Sequence, residues 1–341
     1  MKKYILSLII TIALLMGSIT ALVIVVDPFY HFHAPSDTNN IYIYNEMYQS
    51  PGMARNFEYD SIMLGTSMTE NFRPSMFKEY GENALVVSYA GGRSKDIAKL
   101  VDQAFKSSND IKKIYIDLND YQLCSAPDSE FSDLPDYLYD SNPLNDVQYI
   151  FNIDVISECI NRITSSNENN VETAFTWDDP ELFGKDKVMQ DYYSSHANQA
   201  WVNSEGYDSA LVKDTAVKNV QNFESYITAH PDTEFIFFLP PYSAAYWYDL
   251  KEQNKLDEKL DMYQAAIEEL LKYKNAKIFF FMDDYETICN LDSYRDLCHY
   301  HPHINEKMTK DIHSEAFRIT SADLSERIEK LKEFVKNYIL E

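Results

Sequence analysis

Hydrophobic and polar positions divide the chain into stretches of different rhythm. The first is unbroken: residues 4–26 are 23 positions without a charge, which as a helix span ~35 Å at ~1.5 Å per residue, enough to cross a ~30 Å hydrocarbon core. Lys2 and Lys3 precede it, so the positive-inside rule keeps the N-terminus in the cytoplasm and puts residues 27–341 outside. A signal peptide cut near Ala21 is the competing reading. It fits less well, because Leu22 to Val26 stays apolar up to Asp27 and Pro28, where a cleavage site would need a shorter apolar core and small residues. A single-pass protein of the cell membrane with an extracytoplasmic domain is expected.

Residues 27–56 form a membrane-proximal segment. It opens with the aromatic collar Phe29, Tyr30 and Phe32 and turns polar over 36–40; His31 and His33 are expected to pack at the interface and not to act as ligands. From Asp60 onward the rhythm changes again. Ile62, Met63 and Leu64 are an apolar run too short for a buried helix, ended by Gly65, as in a parallel strand covered on both faces. Similar runs occupy 84–90, 111–118, 234–239 and 276–281, closed by Gly91 and Gly92, by Asn119 and Asp120, by Pro240 and Pro241, and by Asp283 and Asp284. Between them lie helical patterns, at 94–105 with Ile97, Leu100, Val101 and Phe105 on one face, and at 209–228, 256–273 and 325–338. Strands alternating with helices at this spacing predict an α/β fold, a parallel sheet with helices on both faces over residues 57–341. The alternation fails over about 123–207, where a mainly helical insertion with a helix candidate near 147–163 is expected to pack over the carboxyl edge of the sheet as a lid or partner surface.

Composition sharpens this. The chain carries 26 tyrosines and 19 phenylalanines against 8 glycines, which excludes a disordered protein. Net charge is −24, and −26 beyond the two leading lysines; nucleic acid and anionic headgroups should be repelled. Cys124, Cys159, Cys289 and Cys298 all fall on the outer side, where disulfides are permitted, although their spacing is no zinc pattern and a domain of this size needs no staples.

Three strand ends deliver small polar groups: Ser67 after Gly65 and Thr66, Gly91, and Asn119. Singly each is an ordinary turn residue, and Ser67 could be no more than a helix cap. Together, in a doubly wound sheet, the backbone N–H groups of Ser67 and Gly91 and the amide of Asn119 could converge on one oxygen as an oxyanion hole. Nucleophilic serine chemistry also needs a base and a group to orient it. Asp296 and His299, three apart after the last strand, supply an orienting acid and a general base. Such chemistry requires no metal and no cofactor. Alternatives are a metal site or metal-dependent hydrolase built on the alternating His299, His301 and His303, against which Pro302 and a helix leading from Ile304 count, and a catalytically silent binding module.

Gly65-Thr66-Ser67, Gly91, Asn119 and Asp296-x-x-His299, in this order and on this alternation, resemble the four blocks of the SGNH (GDSL-type) hydrolase superfamily over roughly 57–122 and 208–315. The resemblance implies a flavodoxin-like three-layer αβα sandwich, Ser67 as nucleophile, Gly91 and Asn119 in the oxyanion hole, and Asp296 and His299 as acid and base. Thr66 departs from the family's Gly-Asp-Ser, and Gly92 is the less suitable glycine. An N-terminal anchor before such a domain further resembles the teichoic-acid D-alanylation and polysaccharide O-acetylation proteins. That likeness implies a serine esterase or O-acyltransferase acting on a cell-envelope glycan or teichoic-acid substrate, with a membrane-bound O-acyltransferase as partner.

Overall fold

The computed structural model describes residues 1–35, 41, 43–132, 134–164, 170–198 and 207–340. The polar stretch 36–40, most of the break at 165–170 and the end of the insertion lie outside the described residues.

Six strands form one sheet in the order β2-β1-β3-β4-β5-β6, with β1 at Ser61–Gly65, β2 at Ala84–Ser88, β3 at Lys113–Asp117, β4 at Glu234–Leu239, β5 at Ala276–Phe280 and β6 at Arg318–Ile319. The first five are parallel; β6 runs antiparallel to β5, with Ile319 opposite Ile278. The five expected strands make the parallel part of the sheet, and β6 adds an antiparallel edge that was not anticipated. A two-residue strand carries no readable alternation, and it forms because the chain returns along the exposed side of β5.

The helices are α1 (Lys2–Val26), α2 (Glu46–Asn56), α3 (Ser75–Lys78), α4 (Ser94–Phe105), α5 (Asp120–Cys124), α6 (Val147–Ile150), α7 (Ile153–Thr164), α8 (Lys185–Asn198), α9 (Ser209–Gln221), α10 (Glu224–Ala229), α11 (Ala244–Glu252), α12 (Leu256–Leu270), α13 (Tyr285–Ile288), α14 (Pro302–His313) and α15 (Leu324–Asn337). Both faces of the sheet are covered, which is why its strands read as apolar runs without alternation. Phe235 and Phe237 meet Phe105 and Phe223 on one side, while Tyr115 and Phe238 meet Phe77 and Phe72 on the other.

Two predicted helices divide in two. The 147–163 pattern breaks at Asn152, whose side chain accepts from the backbone of Asp154 and so starts α7 afresh. The 209–228 pattern breaks between α9 and α10. The insertion also divides by place. Its start lies at the carboxyl edge, with Phe131 against Tyr89 and Arg93, but residues 137–159 are corrected from a lid to a buttress, since Tyr137, Leu138, Tyr149, Val155 and Cys159 form a separate apolar cluster with Val23 of α1 and Phe29. The second half does reach the carboxyl edge: Gly184 N–H donates to the Tyr294 carbonyl and Asp191 accepts from Leu297 N–H.

The end of α1 is tied into the domain. Asp27 adopts a left-handed backbone (φ 40°) and is buried, its carboxylate accepting from the backbone N–H groups of His31, Phe32 and His33 and from the Tyr149 hydroxyl. Burial pushes the Asp27 carboxyl up, against the pull of these four donors. His31 contacts Asp146 at 2.9 Å, and His33 faces the carbonyls of Ile24 and Ala34. None of the four cysteines is bonded to another.

Candidate active site

The chain runs β1 then β2 on one side, then places β3 on the other side of β1. This reversal opens a crevice at the carboxyl ends of β1 and β3, where open α/β sheets hold their ligands. Gly65 ends β1 there, and it must be glycine: a Cβ would lie 2.3 Å from Asp117 Oδ1 and from the Thr69 methyl. Asp117 ends β3, is fully buried, and grips the following turn. Its carboxylate accepts from Thr66 N–H at 2.9 Å and from the Thr66 hydroxyl at 2.7 Å. Burial pushes its carboxyl up, against the bonds from Thr66, Asn119 and Gln122. The turn so held projects Ser67 half-exposed into the crevice.

Opposite stands a tight loop pinned by a bridge between Tyr294 and Tyr300 and by Arg295 N–H donating to the His299 carbonyl. The Tyr300 hydroxyl donates to the Met68 carbonyl at 3.1 Å, tying this loop to the serine turn. Inside it, Asp296 Oδ1 accepts from the N–H groups of Cys298 and His299, while Oδ2 faces His299 Nδ1 at 2.8 Å. Ser67 Oγ lies 2.8 Å from His299 Nε2. With Nδ1–H donating to Asp296, the Nε2 lone pair faces the serine hydroxyl, the tautomer a general base needs. Burial alone would lower the histidine, but the hydrogen bond and charge of Asp296, with Glu70 behind, raise it above its ordinary 6.5. Burial likewise works against the Asp296 carboxylate, yet His299 holds it below the usual range.

No family model, curated protein or solved structure matches this chain.

The other expected groups are placed as follows. Gly91 has a left-handed backbone (φ 69°) in the turn after β2, beside the β1 end through the pairing of Gly65 with Ser88. Among the described residues neither its N–H nor that of Ser67 donates to another group. Asn119 stands beside Thr66, but its amide protons are committed to the Thr66 hydroxyl at 2.8 Å and to Asp117 at 2.9 Å. Its carbonyl caps α5 by accepting from Gln122 N–H. In this state Asn119 braces the serine turn, because Thr66 and Asp117 offer its two amide protons a buried acceptor pair. His301 and His303 sit at the start of α14, with their Nδ1 atoms 2.8 Å apart and apart from the Ser67 and Asp296 pairing of His299. A shared strand face for the three is thereby corrected: Pro302 begins a helix. Among the described residues no three His, Cys, Asp or Glu side chains are grouped to hold a metal.

Several site residues were not anticipated. Trp177, from the insertion, stands edge-on to His299 with ring centroids 5.9 Å apart, and its indole N–H donates to Glu70. The Arg295 guanidinium lies over the indole at 5.0 Å. Burial, then the nearby Glu46, pushes the Glu70 carboxyl up to about 7, while Trp177, His299 and Arg295 pull the other way. Glu46, from α2, accepts from Ala90 N–H beside Gly91. Ser67, Met68, Asn71, Trp177, His299, Tyr300 and Asn305 line a narrow cleft that leaves no room for a water molecule. Asn305 is fully buried there, and neither its amide oxygen nor its nitrogen has a hydrogen-bond partner. Native proteins rarely leave such a group unpaired without a use for it.

Proposed function

We propose that this chain is a membrane-anchored, extracytoplasmic serine esterase or O-acyltransferase of the SGNH (GDSL-type) kind, acting on ester groups of cell-envelope polymers. The observation that carries the reading is the relay of two 2.8 Å contacts from Ser67 through His299 to Asp296. The order 2-1-3-4-5 of the parallel strands, which is that of flavodoxin-like sheets, supports the fold assignment.

In this reading His299 Nε2 takes the proton of Ser67 as Oγ attacks the acyl carbonyl, and Asp296 stabilises the imidazolium that forms. The free N–H groups of Ser67 and Gly91 receive the developing oxyanion. Collapse of the tetrahedral adduct expels the alcohol, protonated by His299, and leaves acyl-Ser67. Water or a polymer hydroxyl then resolves the acyl-enzyme by the same base. Trp177 against His299 limits the approach of water from that side, which favours transfer to a hydroxyl acceptor. A membrane-bound O-acyltransferase is the partner that would deliver the acyl group. The test is the ester content of envelope polymers in cells carrying wild-type or Ser67→Ala protein. Loss of esters means transferase and gain means esterase; no change in either sinks the proposal.

A further inference from the structure

The insertion carries a second apolar surface that the proposed chemistry does not use. Helix α7 buries Val155 and Cys159 in the cluster that includes Val23 of α1, with Ile19 and Leu22 of α1 packed against it. Roughly a third of a turn round, Ile153, Ile160 and Ile163 are 71%, 51% and 63% exposed. Their spacing of seven and three puts them on one stripe of the helix. No charged residue interrupts that stripe; Asp154, Ser157 and Asn161 fall in a separate sector.

The depth of this stripe follows from α1. Ile19 lies ~10 Å along the helix axis before Val26, at ~1.5 Å per residue. If α1 crosses the bilayer, a helix packed against Ile19 and Leu22 cannot stand clear of it, because these positions lie below the end of the span. The uncharged 23-residue segment exceeds a ~30 Å core by only ~5 Å, so α7 is held at the boundary of headgroups and acyl chains. The tie is firm: Tyr149 donates to Asp27 at the end of α1, and the Arg162 guanidinium donates to the Tyr30 hydroxyl and lies over its ring at 4.8 Å.

We infer that α7 is an in-plane membrane helix, its Ile153, Ile160 and Ile163 stripe seated among the acyl chains of the outer leaflet beside α1. The occupant of the stripe is lipid, because the same helix packs through Val155 and Cys159 on the cluster that holds Ile19, Leu22 and Val23 of α1, and an exposed apolar stripe at that depth has no water to face. Electrostatics plays little part. The domain is strongly acidic and α7 has a single basic residue, Arg162, already turned to Tyr30, so the contact depends on apolar insertion and gains nothing from anionic lipid. With two points of attachment, the span and the in-plane helix, the domain is fixed in orientation and its site held at a set height above the membrane. This inference rests on the proposed reading of α1 as a retained anchor.

The test uses the full chain in phosphatidylcholine vesicles with acyl chains brominated or not. Ile160→Trp and Ile163→Trp are compared with Asn161→Trp, after subtracting the signal of the native tryptophans. Bromine is expected to reduce the added emission at 160 and 163 by about twofold and to leave that at 161 nearly unchanged. Adding phosphatidylglycerol is expected not to deepen the quenching. Equal emission in both lipids at 160 and 163 overturns the inference, and so does shielding from aqueous iodide found only in native membranes, which assigns the stripe to a protein partner. N-terminal sequencing of the same sample separates the two readings. Retained α1 with unquenched 160 and 163 defeats the in-plane helix alone; a chain beginning near Leu22 defeats the anchor as well.

Discussion

Replacing Asp296 by Asn removes the group that sets the tautomer of His299, and its cost can be worked from the contacts. Asp296 Oδ1 accepts two backbone N–H groups, from Cys298 and His299. The asparagine carbonyl takes over that role with no change of loop geometry, which leaves its NH2 group facing His299 Nδ1. A donor there forces the proton to Nε2, and Nε2–H then donates toward Ser67 Oγ instead of accepting from it. The base is lost while the residues stay in place. Triads treated in this way lose about 10⁴-fold in rate, or ~5.5 kcal/mol of transition-state stabilisation. The assay is kcat/KM for p-nitrophenyl acetate with the full chain in detergent, followed against pH. Fold is checked by the thermal midpoint, expected to shift little because the backbone bonds survive. Retention of a tenth or more of the wild-type rate in Asp296→Asn would refute the role of Asp296 as orienting acid.

Further outcomes follow from the neighbouring groups. Because His299 is raised above 6.5, activity should fall with acid through an apparent pKa above 6.5, the protonated imidazole being unable to accept from Ser67. Glu70→Gln removes a charge that raises His299, so the same limb should move to lower pH in a pH-rate profile; a limb that stays or rises counts against the coupling. Thr66→Val keeps shape but deletes a donor to Asp117 and an acceptor for Asn119, and should destabilise by ~2–4 kcal/mol in urea unfolding. Asn305→Leu should do the opposite, raising stability by about 1–3 kcal/mol in the same unfolding assay through removal of unpaired buried groups.

What the sequence carried and what it hid have physical reasons. The apolar run 62–64 and the strand Glu234–Leu239 were legible because buried parallel strands leave no polar position, and α4 was legible because Ile97, Leu100 and Val101 mark a single face. Ser67, His299 and Asp296 could be named because strand ends and a three-residue spacing are local features. Glu46 was hidden, since α2 lies in a segment whose aromatic residues read as an interfacial collar. Trp177 was hidden for another reason: it reaches His299 from a loop 122 residues away in the chain, and no periodicity records such a contact. Asp117 did leave a sign, a charge at the end of the apolar run Ile114-Tyr115-Ile116. Its effect was to displace Asn119 from its expected task, because a buried carboxylate claims the nearest donors first. The division of the insertion into a buttress for α1 and a cover for His299 depends on tertiary contacts alone.

In the proposed chemistry Ser67 is a nucleophile activated by His299. The most direct measurement is covalent labelling of the full chain by a fluorophosphonate, with the adduct located by peptide mass spectrometry. One adduct, on Ser67, lost in His299→Ala and in Ser67→Ala, is the predicted result. An unlabelled Ser67 in folded protein, or labelling that persists undiminished in His299→Ala, would contradict it.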